Sequence, residues 1–140
     1  MTRLAKPSRR AREQGGVAVE FALVTPLLVF VLFGMIDAGR LIVAKLTLSY
    51  AVIAGARLAA VSSTTSFTTV QTAVAAAAPL LNISSSAIHY QIGVGAADTG
   101  FAGRTAGATM RVYTAYTYTP IVVPIFTART VNASAQTVIQ

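Results

Sequence analysis

Four carboxylates (Glu13, Glu20, Asp37 and Asp98), one histidine (His89) and no cysteine are what this 140-residue chain offers for acid–base, nucleophilic or metal chemistry, besides hydroxyl groups and five tyrosines. A lone histidine with so few carboxylates is poor material for a metal site or a catalytic triad. Beyond residue 61 only His89, Asp98, Arg104, Arg111 and Arg129 ionise, apart from tyrosines, and His89 reads as a partly exposed strand residue. Gly93, Gly95 and Gly100 miss the G-x-G-x-x-G spacing of a phosphate cradle, and no G-K-S/T follows them. Tyr113, Tyr116 and Tyr118 fall on two faces of one strand without a basic stripe, so they read as sheet packing and not as a platform for bases. The expectation is a protein that is not an enzyme, with no cofactor, no metal, no small-molecule substrate and no nucleic acid.

Glu20 is the carboxylate whose position asks for a reason. Hydrophobic residues make up 54% of the chain and charged residues 11%, against about a quarter charged in ordinary soluble domains. That composition excludes disorder and points to a membrane segment. Residues 15–36, GGVAVEFALVTPLLVFVLFGMI, span as a helix about 33 Å, close to a bilayer core of about 30 Å. Pro26 is tolerated there, with a kink, and Glu20 lies near one end, where a carboxylate reaches the interface more cheaply than at the centre. A cut between Gly15 and Gly16 would put a new α-amine four residues before Glu20, on the same helix face. Pairing with that amine, or with the amine of a neighbouring copy, would offset part of the roughly 2.5–3.5 kcal/mol that an insertion scale assigns to a mid-membrane charge. A cut one bond later, between Gly16 and Val17, makes Glu20 the fourth residue and weakens the pairing. With no cut, Glu20 marks the cytoplasmic interface of a signal anchor.

Charge placement orients the segment. The net charge is +7, but five of the eleven basic residues (Arg3, Lys6, Arg9, Arg10 and Arg12) precede Glu13. Residues 1–15 read as a basic leader, solvated over 1–14. Without it six basic residues face three acidic ones, +3, so the basicity belongs to targeting. The fifteen residues after Ile36 hold only Arg40 and Lys45, and the positive-inside bias puts the N-terminus in the cytoplasm and the C-terminal part outside. Asp37 and Arg40, three residues apart, meet on the helix surface at the wet boundary of the hydrocarbon, as a solvated interfacial pair or a subunit contact. Gly34 with Ala38, and Gly55 with Ala59, have the small-xxx-small spacing that permits close helix approach.

The elements that must carry these residues follow from pattern. Apolar helix formers continue through residue 61, predicting one helix over 16–61 with its membrane part at about 16–36. The serine–threonine run 62–66 marks a turn, and FTTVQTAVAAAAPLL suits a short second helix stopped near Pro79. Residues 87–94 look like a strand, and a flexible glycine loop follows. Alternation over 108–118 puts Met110, Val112, Thr114, Tyr116 and Tyr118 on one face. Pro120 and Pro124 bracket an apolar connection, and 127–139 alternates again with Val131, Ala133, Ala135 and Ile139 on one face. The fold class is α+β. It consists of a long transmembrane helix followed by a small extracytoplasmic domain, 62–140, with a short helix and a three-stranded antiparallel sheet.

The run from Glu13 to Ala60 resembles the N-terminal module of the TadE-like proteins, pseudopilins of the bacterial tight-adherence (Flp, type IVb) pilus system. Three blocks carry the resemblance: Gly15 to Phe21, with Glu20 and Phe21 closing it; Phe33, Gly34, Asp37, Gly39 and Arg40; and Ala54 to Arg57 with Ala59 and Ala60. The C-terminal half is similar more loosely, and it lacks the cysteines that many relatives carry there. The resemblance implies a processing site formed by Gly15, Gly16, Glu20 and Phe21, cut by a prepilin peptidase, in a single-pass protein of the inner membrane. Helix assembly through Glu20, Asp37 and Arg40 is the expectation from their placement, with membrane lipid, other pilins or pseudopilins and the assembly platform as the expected partners. A minor role in pilus assembly follows; the alternative is an uncleaved signal-anchored envelope protein with a small binding domain.

Overall fold

The computed structural model describes residues 9–61, 66–121 and 127–140. Most of the basic leader (1–8), the serine–threonine turn at 62–65 and most of the apolar connection (122–126) lie outside the described residues. Helix α1 runs Arg9–Val61, so it begins seven residues before the predicted start, inside the segment read as a solvated tail. Arginine, alanine, glutamate and glutamine are good helix formers, and a helix nucleated by the apolar run extends through them at little cost. At 53 residues α1 is about 80 Å long.

Helix α2 (Phe67–Ala77) is the predicted second helix. Ser66 caps it by accepting the Thr69 N–H at 3.3 Å, and it ends just ahead of Pro79, which opens a short 3₁₀ turn, Pro79–Leu81. A second such turn, Ser85–Ala87, leads into β1 (Ile88–Ile92). Strands β2 (Thr109–Tyr118) and β3 (Arg129–Val138) complete an antiparallel sheet of order β1-β2-β3. Tyr118 pairs with Arg129 at one end and Thr109 with Val138 at the other, and the Gln140 N–H bonds the Ala60 carbonyl at 3.1 Å. Strand β2 thus runs alongside α1 with Tyr118 at the Asp37 level and Thr109 near the helix end.

One face of the sheet closes on α1. Met110, Val112, Thr114 and Tyr118 are buried and Tyr116 is half-buried, as the alternation predicts, and Val131, Ala133 and Ile139 join them from the C-terminal segment. From α1 come Leu48, Ala51, Val52, Ala56 and Ala59, and from α2 Val70 and Val74. The other sheet face carries Gln91, Arg111, Asn132 and Ser134 toward solvent, the one-sided pattern of an antiparallel sheet. Gly55 has a specific use, since a Cβ there would overlap Val74 Cγ2. The Gly55/Ala59 spacing therefore serves contact with α2 of the same chain, whereas Gly34 and Gly39 face open space.

The glycine-rich segment is more tied down than a flexible loop. The Asp98 N–H donates to the Tyr90 carbonyl at 2.8 Å, and Asp98 Oδ1 accepts the Tyr90 N–H at 3.0 Å. Phe101 is buried against Phe67 and Tyr90, with ring centroids 5.3 and 5.0 Å away. The aspartate occupies the outer edge of β1, which protects an edge strand from unwanted pairing.

Candidate functional site

The two halves of α1 differ in what covers them. Between Gly15 and Ile36 every residue is exposed except Thr25 and Gly34, which are half-buried, and Phe21 and Leu23 reach 72% and 77% exposure. This stretch is long and apolar enough to cross a membrane. From Asp37 onward the helix alternates buried and open positions, as the sheet and α2 pack on it. Gly15, Gly16, Glu20 and Phe21 all lie on the bare half, on consecutive helical turns, with open space where a Cβ of either glycine would stand. In the uncut chain the nitrogen of Gly16 is a peptide nitrogen, so a Glu20 pairing with it needs cleavage first.

Asp37 stands where the bare half meets the folded half, about 25 Å along the helix from Glu20. The wet-boundary ion pair expected there is in fact half buried: Asp37 is 5% exposed, and Arg40 Nη1 reaches its Oδ1 at 3.4 Å while the arginine stays open to solvent. A pair this long, with one exposed partner, contributes little by itself. What holds the carboxylate is the far end of the sheet. The Tyr118 hydroxyl donates at 3.1 Å to Asp37 Oδ1 and lies equally close to the Asp37 carbonyl. The Ile121 N–H sits 3.0 Å from both carboxylate oxygens. The Arg40 guanidinium lies 5.7 Å from the Tyr118 ring centre. Burial raises the Tyr118 hydroxyl above the usual tyrosine range, the hydrogen bond to Asp37 adds to this, and the Arg40 charge opposes it. Asp37 is therefore a fastening between helix and hairpin, closed across 81 residues of chain.

Sequence reasoning brought Asp37 and Arg40 together but missed Tyr118 and the Ile121 N–H. The available signal was a tyrosine on the buried face at the end of β2, since a buried tyrosine hydroxyl needs a polar partner. His89 lies on the edge strand β1 opposite Tyr113 in the middle of β2, where its Nδ1 meets Asp98 Oδ2 and its ring lies 5.6 Å from Tyr113. Among the described residues no three His, Cys, Asp or Glu side chains come together as metal ligands.

The comparison with known families recognises a segment of α1 that starts at the paired glycines and takes in both its bare half and most of its packed half. Residues 15–57 match the TadE-like protein family. No curated protein and no solved structure matches the chain. The resemblance read from the residues is borne out over this segment, which lies wholly within α1. The match covers 43 of the chain's 140 residues. It takes in all six residues singled out above, Gly15, Gly16, Glu20, Phe21, Asp37 and Arg40, and stops before α2.

Proposed function

We propose that this chain is a minor pseudopilin of the TadE-like kind, inserted in the inner membrane with its N-terminus cytoplasmic, cut by prepilin peptidase and used in assembling a tight-adherence pilus. The observation that carries the reading is the uncovered run Val17–Ile36 on the same continuous helix that forms the spine of the folded domain. An apolar helix bare on all sides asks for lipid or for other helices around it. It can exchange the first for the second without refolding, which is what moving from membrane to pilus requires.

Each residue has a part in this sequence of events. The basic leader sets orientation. Cleavage after Gly15 frees the Gly16 amine, and Glu20, fifth in the mature chain, sets the register of the helix by pairing with an amine. Above the membrane the outward face of α1 stays apolar, with Ile42, Leu46, Tyr50 and Ile53 at three- and four-residue spacing, which supports packing against neighbouring pilins or pseudopilins. The prepilin peptidase and the assembly platform are the other partners. The intact mass of the protein from membranes, with and without its prepilin peptidase, tests the proposal. Peptidase-dependent loss of residues 1–15 is expected. An unchanged full-length mass in both strains overturns it in favour of an uncleaved signal anchor.

A further inference from the structure

We infer that the end of the sheet near Asp37 is a membrane-docking surface, which seats the folded domain on the phospholipid headgroups around its own helix through Ile121, Arg40 and Arg129. The inference rests on the reading that α1 crosses the bilayer. Val17 to Ile36 covers about 29 Å as helix, so Ile36 falls at the edge of a hydrocarbon core about 30 Å thick. The Ile121 N–H is bonded to Asp37, one residue past that edge. Ile121 is therefore held at headgroup depth, and its side chain is 54% exposed although it is large and apolar.

The surroundings fit an anionic lipid surface. A cavity of about 250 Å³ opens beside Asp37 between α1 and the hairpin, with Gly34, Ala38, Leu41 and Pro120 as apolar walls and Arg129 at its lining. Arg40 projects from the opposite flank, half open to solvent. There the exposed Leu80 lines a cleft that runs along α1 to Met35 and Ile36. Asp37 is the one carboxylate at this end among the described residues, and its oxygens already accept from Tyr118, Ile121 and Arg40. Two arginines thus face outward around an apolar rim, continuous with the spanning segment. Phosphate groups answer the arginines, and the upper acyl chain answers Ile121.

The chain has no tryptophan, so single substitutions report depth directly. The full chain is reconstituted in two sets of vesicles of phosphatidylcholine and phosphatidylglycerol, with acyl chains brominated near the carbonyl end to read Ile121 and Val94 and near the methyl end to read Val29. Three variants are compared: Ile121→Trp, Val94→Trp and Val29→Trp. Val94 is fully exposed at the Ala60 end of the domain, about 35 Å further along α1. Emission from Ile121→Trp is expected to shift to the blue and to be quenched, while Val94→Trp stays aqueous and unquenched. Adding Arg129→Gln, or omitting phosphatidylglycerol, is expected to lower the ratio of docked to undocked emission, by about fivefold for each arginine–phosphate attraction removed. Aqueous, unquenched emission from Ile121→Trp beside a quenched Val29→Trp overturns the docking alone. An unquenched Val29→Trp overturns the membrane crossing and the docking with it. Quenching that ignores both Arg129 and phosphatidylglycerol overturns the headgroup part.

Discussion

A carboxylate at 5% exposure is tolerated because donors reach it, among them a phenol, a backbone N–H and a guanidinium. Removing the acceptor strands the others. Asp37→Ala is expected to destabilise the domain by about 1–3 kcal/mol, the penalty for a buried N–H left without a partner, measured by chemical unfolding in detergent. Tyr118→Phe removes one hydrogen bond and is expected to cost about 1 kcal/mol, because Ile121 still donates to the carboxylate. The same hydroxyl makes stability depend on alkaline pH. Its pKa is raised in the folded state above the ordinary value of 10.0, so the native protein holds that proton more tightly than the unfolded chain. The contribution is fully present below pH 10.0 and is lost as pH rises from there through the raised value. Unfolding curves over this range should fall more steeply for the parent than for Tyr118→Phe, and parallel curves would remove Tyr118 from the account.

Among elements, the crossing of α1 and α2 depends on one missing methyl group. Gly55→Ala would drive a Cβ into Val74, which is stiff about χ1 and fully buried. A loss of about 1–3 kcal/mol is expected, as for other overpacked cores. Val74→Ala added to Gly55→Ala should be less harmful than it is alone, because the same space is contested, and a double-mutant cycle reads that coupling. This contact also shows what the sequence could and could not tell. Length and unbroken apolar character revealed α1, helix formers ending near Pro79 revealed α2, and alternation revealed β2 and β3, because one-sided burial forces a period of two onto a strand. The Gly55/Ala59 spacing was visible too, yet nothing in it says whether the approaching helix belongs to the same chain. Asp37 was legible as a helix-surface charge with Arg40 three residues on, but its real partners are 81 and 84 residues away. Local spacing cannot show which end of β2 returns to it. The start of α1 was placed late because an arginine-rich solvated tail and an arginine-rich first turn have the same composition.

At the scale of the molecule, one continuous helix joins a charge near its bare end to a folded domain that begins about 25 Å further on, at Asp37, and this distance separates what each acidic residue controls. Asp37 fastens the domain; Glu20, exposed on the bare half and remote from the core, contributes nothing to domain folding. Glu20→Ala should therefore leave the unfolding curve of the domain unchanged, and also leave cleavage after Gly15 intact, since the scissile bond and its glycines are untouched. What it removes is the partner for the Gly16 amine, so assembly should fail at a step after processing. Three measurements on one variant separate the possibilities: mature mass, domain stability and pilus output. Normal mass and stability with impaired pili is the expected combination. Normal pilus output would mean that the carboxylate serves only to mark the membrane interface, and that helix register in the assembly is set by apolar packing along α1.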